Sequence, residues 1–447
     1  MAPHGDALTE KERSYDDYYL AKPYREGLAK GEYPMSTLDD KARRNLYVMV
    51  ASGVFDARKP GALNTPRHQA TAQRIAEESM VLLKNDNNAL PLDAAKITEL
   101  AVIGENAVRT NAAGFFGAGV KTMHEITPLQ GILQRVGGNA NITYSAGYSK
   151  NSRKGGDSNL VERAVAAARR ADVAVIVAGL NHSRYLDDEG WDRKDLRLPY
   201  GQDELIRQVV KVNPRTIVVL VSGPVIEMDP WLTQVPAVLQ AHYSGMEGGT
   251  ALARILFGDV NPSGKLTVTY PRKLADSPAH ALDTYPGTNG ALFYKEGLLV
   301  GYRWFDAKNI EPLFPFGFGL SYTTFEYSNL KLVAGTDTNG PLVTAEFDIA
   351  NTGQRAGAEA AQLYVHQENP SLPRPLKELK GFKKVLLKPG EKTTVWIPLD
   401  RRAFAYFDPA EKGWVAEAGD FKIQIGASSR DIRLQDNFHL AQTTVEK

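Results

Sequence analysis

Two unbroken apolar runs, "DVAVIVAGL" and "TIVVLVSGPV", constrain this chain more than any other feature. Each follows an amphipathic stretch, "LVERAVAAARRA" before the first and "QDELIRQVVKVN" before the second. A strand with one face in water alternates apolar and polar residues. A strand apolar at every position must be covered on both faces. Other segments keep the rhythm: "ELAVIGEN" and "AVLQAHYSG" read as strands, and "EGGTALARILFGD" as a helix. Such strands alternating with helices predict an α/β sandwich, a mostly parallel sheet between helical layers. Sheets of this kind bind ligands at the carboxyl ends of their strands, in the loops that lead into helices.

The 447 residues suggest two or three domains. "NTPRHQATAQRIAEESMVLLKND" opens the α/β unit, with Thr65 as cap, Pro66 at the first helical position and a helix following. Upstream, Leu38, Ala42, Leu46, Val50 and Val54 recur four apart with Met49 beside them. That spacing predicts a helix, with Ser36 or Thr37 as its N-cap. One or two helices cannot close a core, so residues 1–58 must pack on something else. From about residue 270 Pro and Gly rise, in "YPRKLADSPAHALDTYPGTNG" and "LFPFGFGLSYTTF", which marks 273–321 as a linker. From 322 the period becomes two: Val343, Ala345, Phe347 and Ile349 in one run, Val395, Ile397 and Leu399 in another, and Phe421, Ile423 and Ile425 in a third. With turn signals "NTG", "KPGE" and "EAGD" between them, about seven strands over 322–447 predict a β-sandwich. The fold class is therefore α/β followed by β, with 59–272 as the α/β domain.

Bulk properties exclude several functions. The formal net charge of +1 provides no field for nucleic acid or an anionic membrane. With 0 Cys there is no disulfide framework, thiol catalysis or Cys-ligated zinc. The 8 His are scattered with no His-x-x-x-His pair, so neither a metal nor another cofactor is expected. No run approaches a membrane span, and "MAPHGDALTEKERSYDD" has no apolar signal region, which leaves the compartment unknown. "GFFGAGV" and "VIGEN" lack the order of a phosphate loop, and Ser222 and Ser244 do not stand in a G-x-S-x-G elbow.

"YLDDEGWDRKDLRLP", Tyr185 to Pro199, is the loop between the run "DVAVIVAGL" and the helix beginning near Gln202. It holds five carboxylates and three cationic side chains around a Gly-Trp pair. One reading is a solvated acidic loop. The other is a general acid for sugar chemistry. Glycoside hydrolysis needs two carboxyl groups: one protonates the leaving oxygen, and the other attacks the anomeric carbon or activates water to do so. Asp187 and Asp188 would raise the proton affinity of Glu189 by like-charge repulsion, and Arg193 is expected to hold Asp192.

"GLNHSRYLDDEGWDRKDLRLPYGQDELI" resembles the acid/base segment of family 3 glycoside hydrolases, the β-glucosidase-like enzymes. "IAEESMVLLKNDNNALPL", "GDVNPSGKLTVTYPR" and "GYRWFD" are similar to the start and end of that family's second domain. "FPFGFGLSYTTF" and "RPLKELKGFKKVLLKPGE" are similar to its fibronectin type III-like domain, and "LDDKARRNLYVMVASGVFD" to the last helix of its first. The resemblance covers about residues 35 to 440. It implies a (β/α)8-type barrel, an α/β sandwich and a fibronectin-like module, with retaining hydrolysis of terminal β-linked glycosides. It assigns the general acid/base to Glu189, with Asp187 as the next carboxylate in reach. Asp187, Trp191, Asp192 and Arg193 are expected around the substrate, together with Phe115 and Phe116 of "NAAGFFGAG". Trp191 is expected to lower the polarity around Glu189.

One departure matters. The family's nucleophile is an Asp in a Ser-Asp-Trp type motif on the barrel, and no Ser-Asp-Trp occurs here. The expectation is half of a catalytic pair, inactive alone, with residues 1–58 as the tail of a barrel supplied in cis or on a second chain. The alternative is a non-catalytic sugar-binding or interaction protein derived from such an enzyme. The expected ligand is a β-linked glucoside or oligosaccharide.

Overall fold

The chain divides between Leu63 and Asn64 into two units in the computed structural model. Residues 19–57, 61–112, 120, 122–152, 156–188, 191–335 and 340–447 are described. The first unit holds helices α1 (Lys22–Ala29) and α2 (Met35–Ala51). Helix α2 starts one residue before Ser36, with extended Pro34 in the cap position and no side-chain cap. Ser36 and Thr37 therefore lie inside its first turn, a correction to their expected capping role: the fixed φ of Pro34 already turns the chain. Helix α2 buries none of its residues, and Leu46, Val50 and Val54 are all more than half exposed.

The second unit opens with α3 (Pro66–Ser79), where Thr65 Oγ1 accepts from the His68 amide at 3.3 Å in a capping box. The helix stops before "VLL" because that run is buried in the sheet as β1 (Val81–Asn85). There follow β2 (Glu99–Ile103), α4 (Pro128–Val136), β3 (Asn141–Ser145), α5 (Ser158–Arg170), β4 (Val173–Gly179), α6 (Gln202–Val212), β5 (Thr216–Val221), β6 (Ala237–Gln240) and α7 (Gly248–Leu256). The six strands order as β1-β6-β5-β4-β2-β3. All neighbours run parallel except β1, which pairs antiparallel with β6 at the sheet edge.

The apolar runs fulfil their expectation: all seven residues of β4 and all six of β5 are buried. Ala174, Ile176 and Ala178 enter one core with Ala164 and Ala168 of α5 and Leu205 and Val209 of α6. Val173, Val175 and Val177 enter the opposite core with Ile132 of α4 and Leu252 and Ile255 of α7. Period two along β4 thus feeds both faces, and each buried Val or Ile side chain contributes roughly 1.5–3 kcal/mol.

Two short helices, α8 (Pro278–Ala281) and α9 (Tyr302–Ala307), punctuate the segment before the β region. Then come β7 (Phe325–Ala334), β8 (Val343–Asn351), β9 (Gly357–Gln367), β10 (Glu378–Leu387), β11 (Lys392–Leu399), β12 (Tyr406–Asp408), β13 (Gly413–Ala416), β14 (Gly419–Gly426), β15 (Ile432–Leu440) and β16 (Thr444–Glu446). Antiparallel sheets β10-β9-β14-β15 and β11-β8-β7 face one another across Phe347, Ile349, Val395, Ile397, Phe421 and Ile423. Strands β12, β13 and β16 make a smaller third sheet. The observed class is α/β with a mostly parallel sheet, followed by a β-sandwich.

Candidate active site

Four parallel strands, β2, β4, β5 and β6, end side by side, and the loops that follow them meet. The charged loop leaves β4 at Gly179, whose φ is 133°. A Cβ there would lie 2.0 Å from the Val221 carbonyl oxygen, so only glycine lets β4 turn this close to β5. Gln202, fully buried at the start of α6, locks the same turn: its Oε1 accepts from the Gly179 amide at 2.8 Å and its Nε2 donates to the Gly179 carbonyl at 2.9 Å.

Beyond the turn, His182 bridges two loops. Its Nδ1 lies 3.2 Å from the Asp187 carbonyl, and its Nε2 lies 3.3 Å from the carbonyl of Asn111 in the loop after β2. Its ring packs on Tyr243, from the loop after β6, at 4.7 Å between centroids. The Asp187 carboxylate accepts from the Gly223 amide, in the loop after β5, at 3.3 Å. Burial, with the nearby Asp187 charge, pushes the Tyr243 phenol well above the ordinary tyrosine range. Asp187 is thus the point where loops from three strands converge.

Glu189 and Gly190 lie outside the described residues, as do Phe115 and Phe116. Asp188 and Trp191, on either side of Glu189 and Gly190, are held. The Trp191 amide donates to the Asp188 carbonyl at 3.3 Å. Trp191 stands edge-on to Tyr185 at 5.3 Å, with the Arg184 guanidinium 4.4 Å over its ring. On the other loop, the Asn111 and Ala112 amides both donate to the Glu125 carboxylate, at 2.6 and 2.9 Å. Arg193, expected to close on Asp192, donates instead to the carbonyls of Val225 at 2.8 Å and Arg197 at 3.1 Å. A guanidinium offers a fork of donors and the loop offers two carbonyls in its reach. Burial pulls the Arg193 pKa down while Asp195 and Asp187 oppose the shift. Asp192 accepts instead from the hydroxyl of Tyr285, more than ninety residues along the chain.

The structure adds residues that sequence reasoning did not select. Arg109, Asn111, Glu125, His242 and Tyr243 line one small cavity of about 40 Å³ at the strand ends. That volume suits a water or a single hydroxyl, not a ring. Arg109 pairs with Glu105. His242 holds φ at 55°, unusual for a residue with a Cβ, and burial pulls its pKa down. "HYSGMEGG" directly follows a predicted strand, and that position was the signal available for His242 and Tyr243. Ser222 and Ser244 are engaged locally: Ser222 Oγ accepts from Gln240 Nε2 at 3.1 Å, and Ser244 Oγ donates to the Ala241 carbonyl. Among the described residues, Asn181 Oδ1, Asp188 Oδ1 and Gln240 Oε1 are buried with no hydrogen-bond partner. Among the described residues, no group of three potential ligands is placed to hold a metal, and no helix is long and apolar enough to cross a membrane.

Comparison with known proteins gives a consistent picture. Residues 80–322 match the glycosyl hydrolase family 3 C-terminal domain, and residues 359–429 a fibronectin type III-like domain. Beta-glucosidase BoGH3A of Bacteroides ovatus is 40% identical over 99% of this chain, which covers 61% of that relative. Thermostable beta-glucosidase B of Acetivibrio thermocellus is 43% identical over 84% of this chain, which covers 49% of that relative. The crystal structure of a GH3 beta-glucosidase from Bifidobacterium adolescentis superposes with a TM-score of 0.84 at 33% identity, over 96% of this chain and 61% of that one. The chain therefore spans between about half and three fifths of the length of these relatives.

Proposed function

Because the chain belongs to glycosyl hydrolase family 3, we propose that it is part of a retaining, exo-acting β-glycosidase that hydrolyses terminal β-D-glycosides. In this reading Glu189 is the general acid/base. It protonates the departing glycosidic oxygen, then takes a proton from the water that resolves the glycosyl intermediate. Asp187, Trp191, Asp192 and Arg193 shape and hold its loop, and Phe115 and Phe116 face the sugar from the loop after β2. The nucleophile comes from a barrel, in cis or on a second chain. Residues 1–58 are then the helical tail of that barrel, 59–272 the α/β sandwich, 273–321 the linker and 322–447 the fibronectin-like module. The names of the relatives support a β-glucoside as the substrate class.

The observation that carries the proposal is the convergence on Asp187. Loops from three other strand ends grip the segment two residues before Glu189, through His182, Gly223 and Tyr243. A solvated acidic loop requires no such grip. The exposed apolar side chains of α2 support a missing partner, because a helix with Leu46 and Val50 in water lacks the burial that stabilises it.

Glu189→Gln in the enzyme assembled with its barrel tests the role. Hydrolysis of alkyl and oligosaccharide glycosides should fall by a factor of about 10² to 10⁴, while activated aryl glycosides, whose leaving groups depart unprotonated, retain glycosylation. Equal losses on both classes would remove Glu189 from the acid/base role.

A further inference from the structure

Glu125 gives one carboxylate oxygen to each of two consecutive amides: Asn111 donates to Oε1 at 2.6 Å and Ala112 to Oε2 at 2.9 Å. The backbone around Glu125 is anchored on both sides. The Ile126 amide donates to the Met246 carbonyl at 2.8 Å, and the Gly249 amide donates to the Ile126 carbonyl at 2.9 Å. His124 Nε2 lies 2.6 Å from the Glu247 carboxylate. The loop after β6 and the first turn of α7 therefore set where Glu125 stands.

A trans peptide unit is planar, and its C=O and N–H point in opposite directions. The Asn111 carbonyl and the Ala112 amide belong to one such unit. Holding the Ala112 amide on Glu125 aims the Asn111 carbonyl the other way, where it meets His182 Nε2 at 3.3 Å. The imidazole is rigid, and its Nδ1 lies 3.2 Å from the Asp187 carbonyl. Tyr243, at 4.7 Å between centroids, supports the ring from the side. The orientation of one peptide plane in the loop after β2 is thus passed across His182 to a second, Asp187–Asp188, in the loop after β4.

We infer that Glu125 is a positioning residue for the loop that bears the proposed acid, acting through Asn111 and His182. The inference rests on the proposed function for the identity of that acid, whereas the coupling between the two loops is a property of the fold. Hydrogen bonds from two amides to an ionised carboxylate are strong, which makes the first link stiff. A displacement of about 1 Å at a reacting group costs on the order of 10² in rate, so a remote clamp of this kind bears on kcat.

The first measurement is hydrogen exchange on the 447-residue chain. Glu125→Ala frees both amides. Glu125→Gln leaves one oxygen and puts an amide NH2, which cannot accept, in place of the other. Exchange over residues 183–195 should quicken about fivefold or more in Glu125→Ala and less in Glu125→Gln, with β4 and β5 unchanged. His182→Ala should give the same rise, and adding Glu125→Ala to it should give no more, as for two members of one path. No rise over 183–195, an additive rise in the double variant, or a rise that extends to β4 and β5 would overturn the inference. The second measurement uses the enzyme assembled with its barrel. Glu125→Gln should lower kcat for cellobiose about tenfold, spare glycosylation by activated aryl glucosides and leave inhibition by glucose unchanged. Equal losses on both substrates, where Glu189→Gln distinguishes them, would also overturn it. Failure of Glu189 in its own leaving-group test is a separate result, because the exchange measurement does not depend on which group supplies the proton.

Discussion

Trp231 Nε1 donates to the Asp203 carboxylate at 2.8 Å, tying the first turn of α6 to the segment after β5. Burial raises the Asp203 pKa from 3.8 to about 6, assisted by Glu227 and opposed by Trp231, Arg207 and Arg197. Between those values the folded protein keeps a proton that the unfolded chain has lost. Stability therefore falls as pH rises from about 4 through about 6, and stays reduced above that, by something on the order of 3 kcal/mol at most. Asp203→Asn has no such proton to lose. Its thermal midpoint should rise relative to the parent between pH 4 and pH 7. A difference in midpoint that ignores pH would show that Asp203 titrates normally.

Arg193→Lys keeps the charge and removes the fork. A lysine ammonium cannot reproduce the planar geometry that spans the Val225 and Arg197 carbonyls. The loop after β4 should lose definition while the core is untouched. In the assembled enzyme kcat on poor leaving groups should fall about tenfold or more, with the melting temperature moving by no more than about 2 °C. A large drop in melting temperature with kcat intact would assign Arg193 a purely structural role.

Gly179→Ala places a methyl 2.0 Å from the Val221 carbonyl at a φ of 133°. Both the contact and the backbone angle must give, at a cost of roughly 2–4 kcal/mol. Calorimetric unfolding would register this as a lower midpoint. Little or no destabilisation would mean that the turn after β4 can shift, and that Gly179 does not set the position of the charged loop.

The α/β sheet and the sandwich were legible because hydrophobic periodicity is a local signal. "VAVIV" is apolar at every step, so it must lie between two helical layers, and Phe421, Ile423 and Ile425 alternate, so they line one face. Edge strand β1 was less legible: "VLL" continues the apolar register of α3, and only its pairing with β6 shows where the helix ends. Ser36 was misread as a cap because Pro34 performs the turn by geometry rather than by hydrogen bonding.

The site divides in the same way. Its charged loop could be read directly, because five carboxylates at the end of a buried strand depart from local expectation, and the resemblance pointed to Glu189. The partners could not be read. Asn111 and Gly223 stand far from Asp187 along the chain and carry no mark that distinguishes them from other loop residues, and Tyr243 was marked only by its place after a predicted strand. Arg193 shows the limit most clearly: adjacent Asp192 was the obvious partner by sequence, yet the guanidinium turns to two carbonyls and Asp192 to Tyr285. By itself the sequence determined the elements and the chemistry available to them, because backbone and burial preferences act over a few residues. Which side chains meet was decided only by the tertiary structure, because strand order brings together loops that the chain keeps tens of residues apart.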